Sequence, residues 1–126
     1  MSAVVLLPGA EVVSLDAGAI HVRITVDPGA PVFAGHYPHF PLLPGVFTLD
    51  AVDHAVRLHA QRTDGARTAL AEVRSVRFAA PVYPGDVLTV ECAITLGEDG
   101  ERDVRVRCRT DRDKASTLRL RYRDAA

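Results

Sequence analysis

Cysteine is scarce in this chain. Cys92 and Cys108 stand 16 residues apart and form no CxxC pair, so a disulfide framework and a zinc-ribbon type of site are disfavoured, and two free thiols are expected. Lysine is scarcer still, since Lys114 is the only one among 15 basic residues. Sixteen acidic residues leave a net charge of -1, which argues against a generic nucleic-acid binder. No apolar run approaches the roughly 18 residues of a membrane span. The start, MSAVVLLPGAEVV, has no basic segment ahead of its short apolar run, so it does not read as a signal peptide. Repeats, low-complexity tracts and linkers are absent as well.

What is present is a length of 126 residues, with 48% hydrophobic and 25% charged residues. That is one globular domain spanning 1–126, large enough to bury a core without metal or disulfides.

Proline and glycine gather in one place. Residues 28–46 read PGAPVFAGHYPHFPLLPGV. Proline removes backbone donors and glycine frees the chain, so this is neither a regular helix nor a central strand. Long apolar loops of this kind are usually functional. Before it, Glu11 to Val26 reads as two strands around Asp16-Ala17-Gly18, with Val22, Ile24 and Val26 on one face. After it, Gly45 to about Arg62 reads as the one convincing helix, with Gly65 at its exit. Val46, Leu49, Val52, Ala55, Val56 and Leu58 cover more than one side, which predicts a buried helix. The rest reads as strands: Arg67 to Phe78, Asp86 to Leu96, a turn at Gly97-Glu98-Asp99-Gly100, Arg102 to Thr110 and Ser116 to Arg123. In the last two strands Val104, Val106, Cys108, Leu118, Leu120 and Tyr122 alternate with Arg105, Arg107, Arg109, Arg119, Arg121 and Arg123, as half-buried antiparallel strands do. The expected fold class is α+β, a curved antiparallel sheet wrapped around one long central helix.

Two residue types stand out for chemistry. An imidazole, His36, in the loop and a carboxylate, Asp50, in the helix can share acid and base work near neutral pH. Asp50 falls in an apolar stretch, where burial would disfavour its charged form. Pro44-Gly45-Val46 marks the loop-to-helix junction, where unpaired N–H groups and the helix dipole favour a developing negative charge. Each feature has a plainer alternative: a hydrogen-bonded loop histidine, a satisfied buried aspartate, and an ordinary turn feeding a helix.

Phe33-Ala34-Gly35-His36-Tyr37-Pro38, then Pro41, Pro44-Gly45-Val46 and Leu49-Asp50-Ala51, resembles the signature F-x-G-H-F-P-x-x-P-x-x-P-G-V-x-x-x-E/D-A of the β-hydroxyacyl-acyl carrier protein dehydratases (FabZ/FabA-like). Val76-Arg77-Phe78 and Pro81-Val82-Tyr83-Pro84-Gly85-Asp86 resemble that family's second block. The two blocks occur in the family's order, and the similarity runs from about residue 10 to the end. The resemblance implies the hot-dog fold and removal of water from (R)-3-hydroxyacyl thioesters on acyl carrier protein, or coenzyme A, in fatty-acid or polyketide-type biosynthesis. It implies His36 and Asp50 as the catalytic pair, Gly45 with Val46 as the oxyanion site, and no metal or organic cofactor. It further implies a cytoplasmic homodimer or a trimer of dimers, in which His36 of one chain meets Asp50 of the other. No nucleic acid or membrane partner is expected. Three positions depart from the pattern. His39 replaces a glycine, Asp50 replaces the commoner glutamate, and His54 replaces a glutamine. His54 lies four residues past Asp50, on the same helical face, where it can hydrogen-bond Asp50 and tune it, or simply contact solvent at the pocket edge. The alternatives are a thioesterase on the same fold, and a non-catalytic protein that binds carrier-linked acyl groups.

Overall fold

A computed structural model describes residues 10–26, 45–83 and 85–125. Two strands open the chain, β1 (Ala10–Asp16) and β2 (Ala19–Thr25). The helix α1 runs Gly45–Asp64. Four strands follow: β3 (Thr68–Phe78), β4 (Val87–Leu96), β5 (Glu101–Arg109) and β6 (Lys114–Asp124). They form one antiparallel sheet in the order β1-β2-β4-β5-β6-β3. The helix contacts β2 and β4 and also β3 at the far edge, so the sheet curls around it as expected.

The alternation read from the sequence sets the core. Leu88, Val90 and Cys92 of β4, Val104, Val106 and Cys108 of β5, and Leu118, Leu120 and Tyr122 of β6 all point inward and are buried. Val52, Ala55, Val56 and Leu58 of α1 fill the concave side. The β4–β5 connection holds Asp99 and Gly100 at φ 59 and 73. Only short or flexible residues adopt that region without strain, which is why an Asp-Gly pair suits it. The helix ends where Gly65, at φ 64, lets its N–H return to the Gln61 carbonyl at 3.0 Å.

Two observations differ from the sequence reading. The helix is not buried all round. Phe47, Asp50 and Arg57 stay exposed on one side, while Ala51, Val52, Ala55 and Val56 are buried along with the polar Thr48 and His59. Arg102 is the second. It shares the inward parity of Val104 and is 1% exposed. Its guanidinium is chelated by both oxygens of Asp124 at 2.8 and 2.9 Å and meets Asp64 at 2.9 Å. A buried cation there closes the negative end of α1 onto β5 and β6.

Among the described residues the edge strand β3 is paired only to β6, and it carries two register shifts. Leu70, Val73, Val76 and Phe78 are exposed on it. Large apolar residues on an open edge mark a surface that wants a partner.

Candidate active site

Gly45 opens the helix and lines a cleft of about 280 Å³ with Thr48, Phe78, the segment 79–82, Ala115 and Ser116. Phe78 lies against Gly45 so closely that a Cβ there would sit 2.5 Å from the ring Cζ. Any larger residue here would have to push the Phe78 ring aside.

The wall of this cleft is fixed at both ends. The N–H groups of Ala79 and Ala80 both donate to the Ala115 carbonyl, at 2.9 and 3.2 Å. At the other end the Tyr83 N–H donates to the Asp86 carboxylate at 2.7 Å. Arg112 donates to both oxygens of that carboxylate, at 2.5 and 2.7 Å, and stacks 5.0 Å from the centre of the Tyr83 ring. These hydrogen bonds from Arg112 hold the Asp86 carboxyl below its usual range. Gly85 and Asp86 also exchange backbone bonds with Val26, at 2.7 and 2.8 Å. Sequence reading quoted Tyr83, Gly85 and Asp86 as motif residues. It missed Arg112, because a turn residue 26 positions away carries no periodic signal.

Asp50 lies elsewhere. Five residues along an α-helix turn the side-chain direction by about 140°. Asp50 therefore lines a different cleft, of about 300 Å³, with Leu49, Asp53, Arg57, Ala69 and Leu70. Half of its side chain is exposed, and His54 Nε2 lies 3.6 Å from its Oδ1. The four-residue spacing does bring His54 near Asp50, at a distance longer than a hydrogen bond. The buried setting expected for Asp50 is not, because the helix face that carries it is the one the sheet leaves uncovered. Within this cleft Asp53 accepts a 2.7 Å hydrogen bond from the Tyr122 hydroxyl.

Thus Gly45 and Asp50 occupy separate clefts of one chain. His36 lies outside the described residues, as does His39, and so does the side chain of Val46. The two cysteines are free and buried. Burial pushes the Cys108 thiol up to about 11 and raises that of Cys92 too, so neither is a nucleophile at neutral pH. Among the described residues no three histidine, cysteine or acidic side chains gather as a metal site, and no helix is long and apolar enough to cross a membrane.

The ApeI-like family, described as ApeI dehydratase, matches residues 12–119. The chain belongs to the ApeI-like dehydratase family. It is similar to the 3-hydroxyacyl-acyl-carrier-protein dehydratase FabZ of Ruminiclostridium cellulolyticum, 28% identical over 89% of this chain and 82% of that one. The FabZ of Nitrosomonas europaea is 35% identical over 67% of this chain, and the match spans 60% of that relative's length. Among solved structures, the dehydratase heterocomplex ApeI:P from Xenorhabdus doucetiae superposes with a TM-score of 0.70 at 25% identity, covering 90% of this chain and 92% of the other. The hot-dog fold and the dehydratase family expected from the two motif blocks are both borne out.

Proposed function

We propose that this chain eliminates water from 3-hydroxyacyl groups carried as thioesters on acyl carrier protein, in a site assembled from two chains. His36 takes the proton from C2. The Gly45 N–H, at the positive end of α1, stabilises the charge that moves onto the thioester oxygen. Asp50 gives a proton to the 3-hydroxyl, the C3–O bond breaks, and the electrons from C2 close the double bond. The products are a trans-2-enoyl thioester and water. His54 orients the Asp50 carboxyl group from one turn along the helix.

One observation carries the two-chain form of this reading. Gly45 and Asp50 face different clefts of the same chain, and both clefts border the exposed edge strand β3 through Phe78 and Leu70. A second chain laid along β3 extends the sheet, covers Leu70, Val73, Val76 and Phe78, and brings the Asp50 cleft of one copy against the Gly45 cleft of the other. We read the second chain as another copy, in a homodimer or a trimer of such dimers, working in the cytoplasm on a fatty-acid or polyketide-type carrier. The heterocomplex named for the Xenorhabdus relative is the other arrangement this edge can support.

Incubation with a 3-hydroxyacyl thioester on acyl carrier protein tests the reaction. Formation of an enoyl product without release of free thiol is expected. Release of thiol without enoyl product would make the chain a thioesterase and overturn the reading. No product of either kind from a correctly assembled complex would leave only a binding role.

A further inference from the structure

The outer face of the sheet is not uniformly charged. Of six arginines that alternate outward on β5 and β6, three are neutralised. Arg109 meets Glu91 at 2.9 Å and Arg123 meets Glu101 at 3.0 Å. Arg121 lies between Glu72 and Asp103 at 3.7 and 3.8 Å. The other three, Arg105, Arg107 and Arg119, have no ion-pair partner among the described residues. Arg77 on β3, also exposed, has none either.

The register places these four together. Arg105 lies directly opposite Arg119, and their row continues into Ser75 on one side and Ala93 on the other. In the next row Arg77 and Arg107 flank Thr117. Glu91 is opposite Arg107, but its carboxylate is held by Arg109. Like charges directly opposed across strands are unfavourable, so the folded chain gains nothing from this arrangement. A depression of about 470 Å³ lies beside the Arg105–Arg119 pair, also lined by Arg74 and by Asp103, whose carboxylate faces Arg74 and Arg121 at 3.9 and 3.8 Å.

We propose that Arg77, Arg105, Arg107 and Arg119 form the surface on which the acidic acyl carrier protein docks. This rests on the dehydratase reading above and adds the partner's seat to it. Charge complementarity selects the occupant. A second copy would oppose cations to cations, and the chain as a whole is not basic enough to favour nucleic acid. Carrier proteins are acidic, and the phosphodiester that tethers the acyl arm adds a further anion. Position agrees as well. Arg77 precedes Phe78, whose ring lies against Gly45, so the patch begins at the sheet edge that borders the oxyanion cleft. From β3 across β6 to β5 is about 10 Å at normal strand spacing, a short distance against a flexible phosphopantetheine arm.

The test uses two double variants of the full chain, R77E/R107E and R105E/R119E, with R105Q/R119Q as the milder control for folding. Binding of a holo acyl carrier protein is measured by calorimetry at low and high salt. Turnover is measured with a 3-hydroxyoctanoyl group on that carrier and on N-acetylcysteamine. Both reversals should weaken carrier binding by about tenfold or more, and the wild-type affinity should fall with salt. Turnover of the small thioester should stay unchanged. Unchanged carrier affinity overturns the proposal. So does an equal loss on both substrates, or a change in oligomeric state in place of carrier affinity. If the wild type dehydrates neither substrate, the dehydratase reading fails on its own, while calorimetry still decides whether the patch binds the carrier.

Discussion

Tyr122 donates its hydroxyl hydrogen to Asp53 Oδ1 at 2.7 Å, joining the last strand to the exposed face of the helix beside Asp50. The ring is fully buried. Burial, followed by the hydrogen bond to Asp53, raises the hydroxyl's pKa far above the ordinary phenol value. The carboxylate is 26% exposed, so water reaches it. The two ends of this bond are therefore unequal. Tyr122→Phe removes the donor and leaves Asp53 partly hydrated, at a cost of about 1 kcal/mol. Asp53→Ala strands a buried hydroxyl, at a cost of about 1–3 kcal/mol. Chemical denaturation of both variants checks the order. Equal losses, or a larger loss for Tyr122→Phe, would show that the bond is not one-sided.

Gly45 and Phe78 give a second expectation. A methyl group at residue 45 meets the Phe78 ring at 2.5 Å from Cζ and 2.9 Å from Cε2. That ring is 57% exposed and can swing outward, so Gly45→Ala should cost only about 1 kcal/mol of stability. It should reduce turnover more clearly, because the displaced ring and the added methyl both intrude on the cleft. In a Phe78→Ala background the same Gly45→Ala change should cost less, since the clash is gone. A double-mutant cycle on stability measures this coupling. Strict additivity would mean that Phe78 is not what requires glycine there.

How much of this was legible in the sequence depends on the range of the signal. The inward set Val104, Val106, Cys108, Leu118, Leu120 and Tyr122 followed from a two-residue period, and every member is buried. The Asp50–His54 pair followed from the helix period. Arg102 shares the inward parity of Val104, yet its partners Asp64 and Asp124 stand 38 and 22 residues away, and no local pattern points to them. The outward arginines read as one equivalent set. Register puts acids opposite Arg121 and Arg123, but it also puts Glu91 opposite Arg107, and only the folded side chains show that Glu91 pairs with Arg109 instead. Apolar residues around Asp50 suggested burial, whereas the structure shows a half-exposed carboxylate on the helix face that the chain's own sheet leaves open.

The Arg102 clamp should be visible in the pH dependence of stability. Hydrogen bonds from Arg102 hold the Asp124 carboxyl below its ordinary value. A group whose pKa is lowered on folding contributes stability above its unfolded value and loses it as pH falls through the folded one. Wild-type stability should therefore be steady above about pH 5 and decline below about pH 4. Arg102→Met leaves Asp64 and Asp124 without their cation, but both are partly exposed, at 39% and 22%, so it should cost about 1–3 kcal/mol near neutral pH. Protonation of those carboxyls relieves part of that loss, so the deficit should narrow below about pH 4. Thermal melts of both proteins between neutral and acidic pH compare the two curves. A deficit that stays constant through that range would remove the ion pair as its cause.

The shared site makes the sharpest prediction, because it concerns which chain supplies which residue. His36→Ala and Asp50→Ala proteins should each be inactive alone, since loss of a general acid or base costs about 100- to 10,000-fold. Each variant should fold. His36 falls in the Pro/Gly-rich segment 28–46, and the Asp50 side chain is half exposed. Unfolded together and refolded, random pairing puts half of the chains into mixed dimers. If His36 from one chain works with Asp50 from the other, each mixed dimer holds one doubly damaged site and one intact site. Activity should then return to about a quarter of the wild-type value, the share of intact sites under random twofold pairing. If both residues act within one chain, every site in the mixture carries a defect and activity stays at the level of the separate variants. Mass spectrometry of the native assemblies confirms that exchange took place. Exchange without recovery would return both residues to a single chain and break the link between the open β3 edge and catalysis.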